Sequence, residues 1–316
     1  MGRRAMVLET IRKAALRPGA LALGLAFAWG WGAVPLSAQQ AVFALPGFYG
    51  VAGGDVDGDG RGDLVLTGTD GLELRLGGGE GAVSLPAYGV RSTAVGDVDG
   101  DGRAEVMALV GREVRLWRQE GGIWGDGPVH RLGGEGLHLA CGDTDGDGAA
   151  EVAAAFSLSG PGAEVRPSRV VVLRRARGQW VPGARVDFAR HIGAMCMGDV
   201  DGDGRAELTV ELGGEEVGGY IETYDFAGGG PRLLHGGQLG EGGRVLQLST
   251  AGGLLGAVDG GRLAFWGWEG EGWARRPGAA AAPSRGLLLW RPLAGNGIEI
   301  VGAVPAGVWR LDGAGF

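Results

Sequence analysis

The stretch Asp97-Val-Asp99-Gly-Asp101-Gly-Arg-Ala-Glu105 is the most informative in this chain of 316 residues, because it occurs four times in closely similar form. Each copy places four carboxylates within nine residues, and such a cluster repels itself unless a cation lies among the side chains. We number the positions of each copy 1 to 9 and call the copies loops 1 to 4, which cover residues 55–63, 97–105, 143–151 and 199–207.

The residue types within each loop predict a calcium site. Alternation directs the side chains at positions 1, 3 and 5 toward a common point, the glycines at positions 4 and 6 permit positive φ, and the acid at position 9 closes the cage. Ligation by oxygen alone suits a hard cation, and the loops contain no His or Cys that would favour zinc or copper. We therefore predict about four Ca²⁺ ions. The candidate side-chain ligands are Asp55, Asp57, Asp59, Asp63, Asp97, Asp99, Asp101, Glu105, Asp143, Asp145, Asp147, Glu151, Asp199, Asp201, Asp203 and Glu207.

The N-terminal segment has the layout of an export signal. Five basic residues lie between Arg3 and Arg17, an apolar run follows from about Ala20 to Leu36, and the segment ends in small residues at Ala38. This pattern predicts a signal peptide over residues 1–38, or alternatively an uncleaved N-terminal membrane anchor. We therefore expect the protein to be secreted or to lie in the periplasm or cell envelope. The chain has a single lysine beside its many arginines, which favours a bacterial source.

The charge of the remaining chain is concentrated in the loops. Residues 39–316 carry 24 basic and 36 acidic side chains, and 16 of those acids are the loop carboxylates. The acidity is therefore typical of metal binding rather than of a general surface field, and no basic patch indicates a nucleic-acid partner. No later segment is apolar enough to enter a membrane.

The two cysteines, Cys141 and Cys196, precede loops 3 and 4. Cys141 stands two residues before loop 3, whereas Cys196 stands three residues before loop 4. Because side chains alternate along a strand, this difference of one residue places the two thiols on opposite faces of equivalent strands. We expect buried free thiols, with a disulfide as the alternative that export would permit.

The loops mark a repeat that predicts the architecture. Their position-9 residues are spaced by 42, 46 and 56 residues, residues 254–266 align with 105–117 as a fifth unit, and residues 298–302 open a sixth. In the second unit, four strand-like runs cover residues 92–95, 106–110, 113–117 and 123–132. Four strands in a period of this length favour a β-propeller blade over a solenoid coil.

The ends of the chain indicate how the ring closes. The sixth unit has room for only three strands, and residues 41–45 offer a spare strand ahead of the first unit. Pairing the spare strand with the last unit removes two exposed sheet edges. We therefore predict an all-β fold in one domain over residues 39–316, a β-propeller of six four-stranded blades with three-plus-one closure.

The stretch Phe48-Tyr-Gly-Val-Ala-Gly-Gly-Asp-Val-Asp-Gly-Asp-Gly-Arg-Gly-Asp-Leu-Val65 resembles the FG-GAP/VCBS repeat, the calcium-bearing blade of integrin α-subunit propellers and of many exported bacterial proteins. The resemblance implies that the carbonyl oxygen at position 7 is a further ligand, as well as the side chains at positions 1, 3, 5 and 9. The residues at position 7 are Arg61, Arg103, Ala149 and Arg205. The best-known members have seven blades, which is the alternative count. An EF-hand fits less well because its closing acid stands at position 12.

The sequence favours a non-enzymatic function. The four histidines lie far apart and no nucleophile-elbow motif is present. The repeated tryptophans Trp124, Trp180 and Trp273 are predicted to pack against a neighbouring blade, with sugar stacking as the alternative. We predict a binding or scaffold module with structural Ca²⁺ and a protein or glycan partner. The alternatives are a carbohydrate-active propeller, either a lectin or a polysaccharide lyase, and a membrane-anchored component of envelope adhesion or assembly.

Overall fold

The computed structural model describes residues 38–42, 48–77, 82–160, 162–213, 219–239, 245–251, 253–259, 262–281, 285–293, 297–304 and 306–311. These residues form strands and turns without any helix, so the predicted all-β class is confirmed. The described part of the chain accordingly contains no helix of the length and hydropathy needed to cross a membrane. The predicted signal segment, apart from Ala38, lies outside the described residues.

The strands follow the repeat along the chain. The first strand and those of the first two repeats are β1 (Ala38–Val42), β2 (Phe48–Gly54), β3 (Asp63–Gly68), β4 (Gly71–Arg75), β5 (Ala82–Leu85), β6 (Val90–Gly96), β7 (Glu105–Val110), β8 (Glu113–Glu120), β9 (Ile123–Asp126) and β10 (His130–Arg131). The third and fourth repeats contain β11 (Gly136–Gly142), β12 (Glu151–Ser157), β13 (Ser168–Ala176), β14 (Gln179–Phe188), β15 (His191–Gly198), β16 (Glu207–Gly213), β17 (Tyr220–Asp225) and β18 (Arg232–Gln238). The last strands are β19 (Val245–Ala251), β20 (Leu254–Asp259), β21 (Arg262–Trp268), β22 (Trp273–Ala281), β23 (Arg285–Leu293), β24 (Gly297–Val304) and β25 (Ala306–Leu311).

The sheets are arranged in a ring. Each repeat forms one antiparallel sheet, and the first strands of the sheets are β2, β6, β11, β15, β19 and β23. Each of these strands contacts the first strand of the next sheet, and β23 contacts β2, so the ring is closed. This is the arrangement of a β-propeller, as the repeat period predicted.

The ring closes through the N-terminal strand. β1 pairs antiparallel with β25, where Ala38 lies opposite Leu311 and Val42 opposite Gly307. The last sheet therefore takes three strands from the C-terminal end of the chain and one from the N-terminal end, which confirms the predicted three-plus-one closure. The strand begins earlier than the predicted residues 41–45, of which 43–45 lie outside the described residues.

The predicted set of six four-stranded blades is wrong. Five sheets have four strands, the sheet of the second repeat has five, and the described residues contain no seventh sheet. The outer run predicted over residues 123–132 is split into β9 and β10, which both pair with β8. The break falls at Gly127-Pro128, because proline has no N–H to donate to a ladder. At this point the N–H of Gly127 donates to the carbonyl oxygen of Leu116 at 2.8 Å.

The core lies between neighbouring sheets. Met107 and Leu116 of the second sheet pack with Val152 and Leu173 of the third, and similar clusters join the first to the second, the third to the fourth and the fourth to the fifth. The second strand of each of the first four sheets is buried along nearly its whole length, which explains its continuous apolar run. Each fully buried leucine or valine contributes about 1.5–3 kcal/mol.

The repeated tryptophans pack between blades, as predicted. Nε1 of Trp180 on β14 donates to the carbonyl oxygen of Pro128 in the preceding sheet at 2.9 Å. Nε1 of Trp273 on β22 donates to the hydroxyl oxygen of Thr223 in the preceding sheet, also at 2.9 Å. Trp124 packs against the cluster between the first two sheets. These rings therefore fasten the outer strands of one blade to the next.

Neither cysteine forms a disulfide, which agrees with the expectation. The Cys141 thiol donates to the carbonyl oxygen of Val95 in the preceding sheet at 2.8 Å. Burial raises the pKa of Cys141 to about 12. Cys196 packs in the cluster on the other side, between the fourth and fifth sheets.

Candidate metal centres

Every loop connects the first and second strands of its sheet. Position 1 follows the last residue of the first strand, and position 9 is the first residue of the second strand, as with Gly96 before loop 2 and Glu105 at its end. The repeat therefore presents the four loops at the same end of their sheets. The connections between the second and third strands lie at the opposite end.

The glycines adopt the backbone conformation that the sequence predicted. At positions 4 and 6 of all four loops, φ lies between +74° and +91°. Residues with a side chain rarely adopt this region, so the two glycines let the chain wrap tightly around a point.

The aspartate at position 1 holds the loop in shape. In loop 2, Oδ1 of Asp97 accepts the N–H of Gly100 and Oδ2 accepts the N–H of Gly102, both at 2.7 Å. The same pair of bonds occurs in the other three loops. The position-5 aspartate in turn accepts the N–H of position 7 at 2.8–2.9 Å, which fixes the peptide beside the carbonyl oxygen implied as a ligand.

The acid at position 9 closes each loop from the buried side. These four side chains, Asp63, Glu105, Glu151 and Glu207, are between 0% and 6% exposed. One oxygen of each accepts the N–H of position 2 at 2.8–2.9 Å. Desolvation by burial raises the pKa of all four, to about 7 for Glu105 and Glu207.

In loop 4, only one of the two carboxylate oxygens of the closing acid Glu207 has a hydrogen-bond partner within the described residues. Its Oε2 accepts the N–H of Val200 at 2.9 Å, whereas Oε1 is buried and has no hydrogen-bond partner within the described residues. A buried carboxylate oxygen without a partner is costly, and a cation in the loop would offset that cost.

The structure brings together three of the four predicted side chains in each loop. In each loop, three carboxylate oxygens lie within 4.8 Å of one another. The residues at positions 1 and 3 belong to all four groups. The third member is position 9 in loops 1 and 3 and position 5 in loops 2 and 4. The groups are Asp55, Asp57 and Asp63; Asp97, Asp99 and Asp101; Asp143, Asp145 and Glu151; and Asp199, Asp201 and Asp203. The fourth predicted side chain of each loop, Asp59, Glu105, Asp147 or Glu207, is not part of the group.

Neighbouring loops are linked through the backbone. The N–H of position 8 donates to the carbonyl oxygen of position 1 in the preceding loop, from Ala104 to Asp55 at 2.8 Å and from Ala150 to Asp97 at 2.6 Å. Loops 4 and 3 share the same bond at 2.6 Å. These contacts were not predicted, although the small residue at position 8 and the glycine before each loop are a signal for them.

The glycine before each of loops 1, 2 and 3 permits this close approach. A Cβ on Gly142 would lie 2.5 Å from the Cβ of Ala206, and one on Gly96 would lie 2.8 Å from the Sγ of Cys141. Any side chain at these positions would therefore push the next blade away, and the loop-to-loop hydrogen bond would lengthen.

Loop 2 alone receives a basic side chain from the next sheet among the ion pairs of the described residues. Nη1 of Arg175, on β13, lies 2.9 Å from Oδ2 of Asp99 and 3.7 Å from Oε1 of Glu105. The sequence did not reveal this contact, because Arg175 stands 76 residues after Asp99.

The donor set fits a calcium ion. Each loop offers several carboxylate oxygens in a small volume, a tightly wrapped backbone and no nitrogen or sulfur ligand, which is the preference of a hard cation. The side chains at positions 1, 3, 5 and 9 would hold the ion, and the ion would supply charge neutralisation.

A family comparison identifies the repeat. A model described as FG-GAP-like repeat matches residues 55–108 and again residues 97–154. Each match begins at position 1 of a loop, at Asp55 and Asp97. Each ends in the second strand of the following repeat, β7 or β12. No curated protein matches the chain. By these matches and by the loop geometry that accompanies them, residues 55–154 are similar to FG-GAP-like repeats.

Proposed function

We propose that this protein is an exported bacterial β-propeller that serves as a non-enzymatic binding or scaffold module and binds structural Ca²⁺ in loops 1 to 4. The observation that carries the proposal is the recurrence of one oxygen-lined loop, with a buried closing acid, at the same place in four successive sheets.

Calcium has a structural task in this geometry. Without an ion, each loop holds four carboxylates close together, and the closing acid is desolvated at the start of a core strand. An ion neutralises the loop and ties the first strand of a sheet to the second. Extracellular sites of this kind bind calcium with Kd of about 10⁻⁴ to 10⁻³ M, which suits an exported protein.

The partner surface is proposed at the opposite end of the sheets. The longest described connection there joins β12 to β13, between Ser157 and Ser168. It carries two exposed apolar side chains, Leu158 at 43% and Val165 at 66% exposure. Variable surface connections on a rigid scaffold are common binding sites, and a protein or glycan partner is proposed here. The tryptophans of the sugar-stacking alternative pack between blades, so these rings do not support the carbohydrate-active alternative.

Ion counting on the purified protein tests the calcium proposal. After equilibrium dialysis against saturating calcium, about four bound ions per chain are expected, and the same protein dialysed against EDTA should hold none. A chain that retains no calcium at millimolar concentration would contradict the proposal. Removing residues 159–166 should leave the ion count unchanged, because this connection lies at the other end of the sheets.

A further inference from the structure

The four loops are not equivalent, because loop 2 contains a charged side chain from the next sheet. We propose that Arg175 acts as a resident cation at loop 2, so that loop 2 stays ordered without metal and is the weakest calcium site of the four. This inference rests on the proposed calcium function and assigns to Arg175 the control of one site.

The contacts of Arg175 are with the predicted ligands themselves. Nη1 lies 2.9 Å from Oδ2 of Asp99, at position 3, and 3.7 Å from Oε1 of Glu105, at position 9. The other oxygen of Glu105 accepts the N–H of Val98. The guanidinium therefore faces the oxygen of Glu105 that is not bound to the backbone. The corresponding oxygen of Glu207 in loop 4 has no partner within the described residues.

Burial makes this pairing hard to displace. The side chains of Arg175 and Glu105 are 5% and 4% exposed. Arginine keeps its charge at any accessible pH, and separating a buried ion pair is costly. The backbone of Arg175 is also held, because it pairs with Trp180 on β14 and the Trp180 indole is hydrogen-bonded to the second sheet. Arg175 is thus positioned by the blade interface rather than by the loop.

At the register position that Arg175 occupies in the third sheet, the sheets that follow loops 1 and 3 carry neutral residues. Arg175 stands two residues after Leu173, which pairs with Val152 of its own sheet. By the same register the second and fourth sheets carry Gln119 and Phe226. In loops 1 and 4, the ion pairs found within the described residues come from the loop's own position 7, as between Arg61 and Asp59. Arg232, near loop 4, is paired with Asp225.

The consequence for calcium follows from charge. A guanidinium already neutralises part of loop 2, so an entering divalent cation gains less attraction and must either displace Arg175 or bind beside it. One like charge beside a partly buried site changes ionic affinity by roughly tenfold or more. We therefore expect three ions of similar affinity, in loops 1, 3 and 4, and a fourth that binds roughly tenfold more weakly.

A matched pair of variants tests the assignment without altering Arg175. Asp101→Asn and Asp147→Asn change the same position 5 in loops 2 and 3, and the asparagine oxygen still accepts the N–H of position 7. In calcium titration calorimetry of the full chain, Asp101→Asn should remove only the weak ion, whereas Asp147→Asn should remove one of the three tighter ions. If Asp101→Asn instead removes a tight ion, Arg175 does not weaken loop 2.

The reciprocal variant is Arg175→Gln, which should raise the affinity of the fourth ion to that of the other three and lower the melting temperature in EDTA. Arg118→Gln is the control, because Arg118 is 37% exposed and its Nη1 lies 3.9 Å from the same Asp99 oxygen. This control should change the logarithm of the fourth ion's Kd by less than half of the change that Arg175→Gln causes. Four equal sites in the unaltered protein would overturn the inference and leave the calcium function intact. The absence of any binding in the unaltered protein would refute both.

Discussion

The closing acid of loop 4 gives the sharpest prediction, because its substitution should stabilise the protein without calcium and lose that advantage when calcium is bound. Glu207 is 1% exposed, and only one of its two oxygens has a hydrogen-bond partner within the described residues. Glu207→Gln keeps the shape and retains an oxygen that can accept the N–H of Val200, so the variant changes mainly the charge.

The magnitude without calcium comes from the pKa. Burial raises the pKa of Glu207 from 4.5 to about 7. Above pH 7 the folded state must ionise a group that the unfolded state ionises freely, so the charge destabilises the fold by about 3 kcal/mol. In EDTA at pH 8, Glu207→Gln should therefore increase the free energy of unfolding by up to about 3 kcal/mol.

With calcium the gain should disappear. An ion at a hundredfold excess over its Kd stabilises the fold by about 2.7 kcal/mol, and the variant would lose most of that contribution from loop 4, so the two effects nearly cancel. Urea denaturation at pH 8, in EDTA and in saturating calcium, measures both values. Glu164→Gln, an exposed acid at the other end of the sheets, is the control and should change stability by less than about 0.5 kcal/mol in either buffer. A change in the free energy of unfolding on Glu207→Gln that is the same in both buffers would refute the reasoning.

Three further predictions concern pH, packing and thiol chemistry. The closing acids of loops 2 and 4 have raised pKa values of about 7, so the metal-free protein should gain stability as pH falls from 8 toward 5. Calcium affinity should fall over the same range, because protonated acids bind the ion poorly. Calorimetry at three pH values would check both. Gly142→Ala should destabilise the fold by about 1–3 kcal/mol in urea denaturation, because its Cβ would lie 2.5 Å from that of Ala206, whereas Gly228→Ala, with open space around it, should cost less than about 1 kcal/mol. The Cys141 thiol, with its pKa raised to about 12, should react with a thiol reagent only after denaturation, and rapid reaction in the native state would contradict its burial.

The local and periodic features of this fold were predictable from the sequence. The nine-residue loops, their glycines with positive φ and the three-plus-one closure all follow from patterns that are short or that repeat at a regular interval. The continuous outer strand of the second repeat was predicted wrongly, because a single Gly127-Pro128 step outweighs the apolar pattern around it. A repeat pattern describes what the units share, so it does not reveal what one unit does differently.

The long-range contacts of the loops were not predictable in the same way. Arg175 reaches Asp99 from a strand 76 residues later, and its neighbours in sequence do not distinguish it from other arginines. The hydrogen bonds between successive loops also join residues of different repeats, as between Ala150 and Asp97. Such contacts depend on how closely the blades pack, which the glycine before each loop decides.

The most direct test of the account is a calcium titration of the protein at pH 7.5, followed by the melting temperature at each calcium concentration. If calcium holds the propeller together, the melting temperature should be lowest in EDTA and should rise by several degrees or more as three tighter ions and one weaker ion bind. A melting temperature that is the same in EDTA and in millimolar calcium would contradict the claim that calcium holds this propeller together.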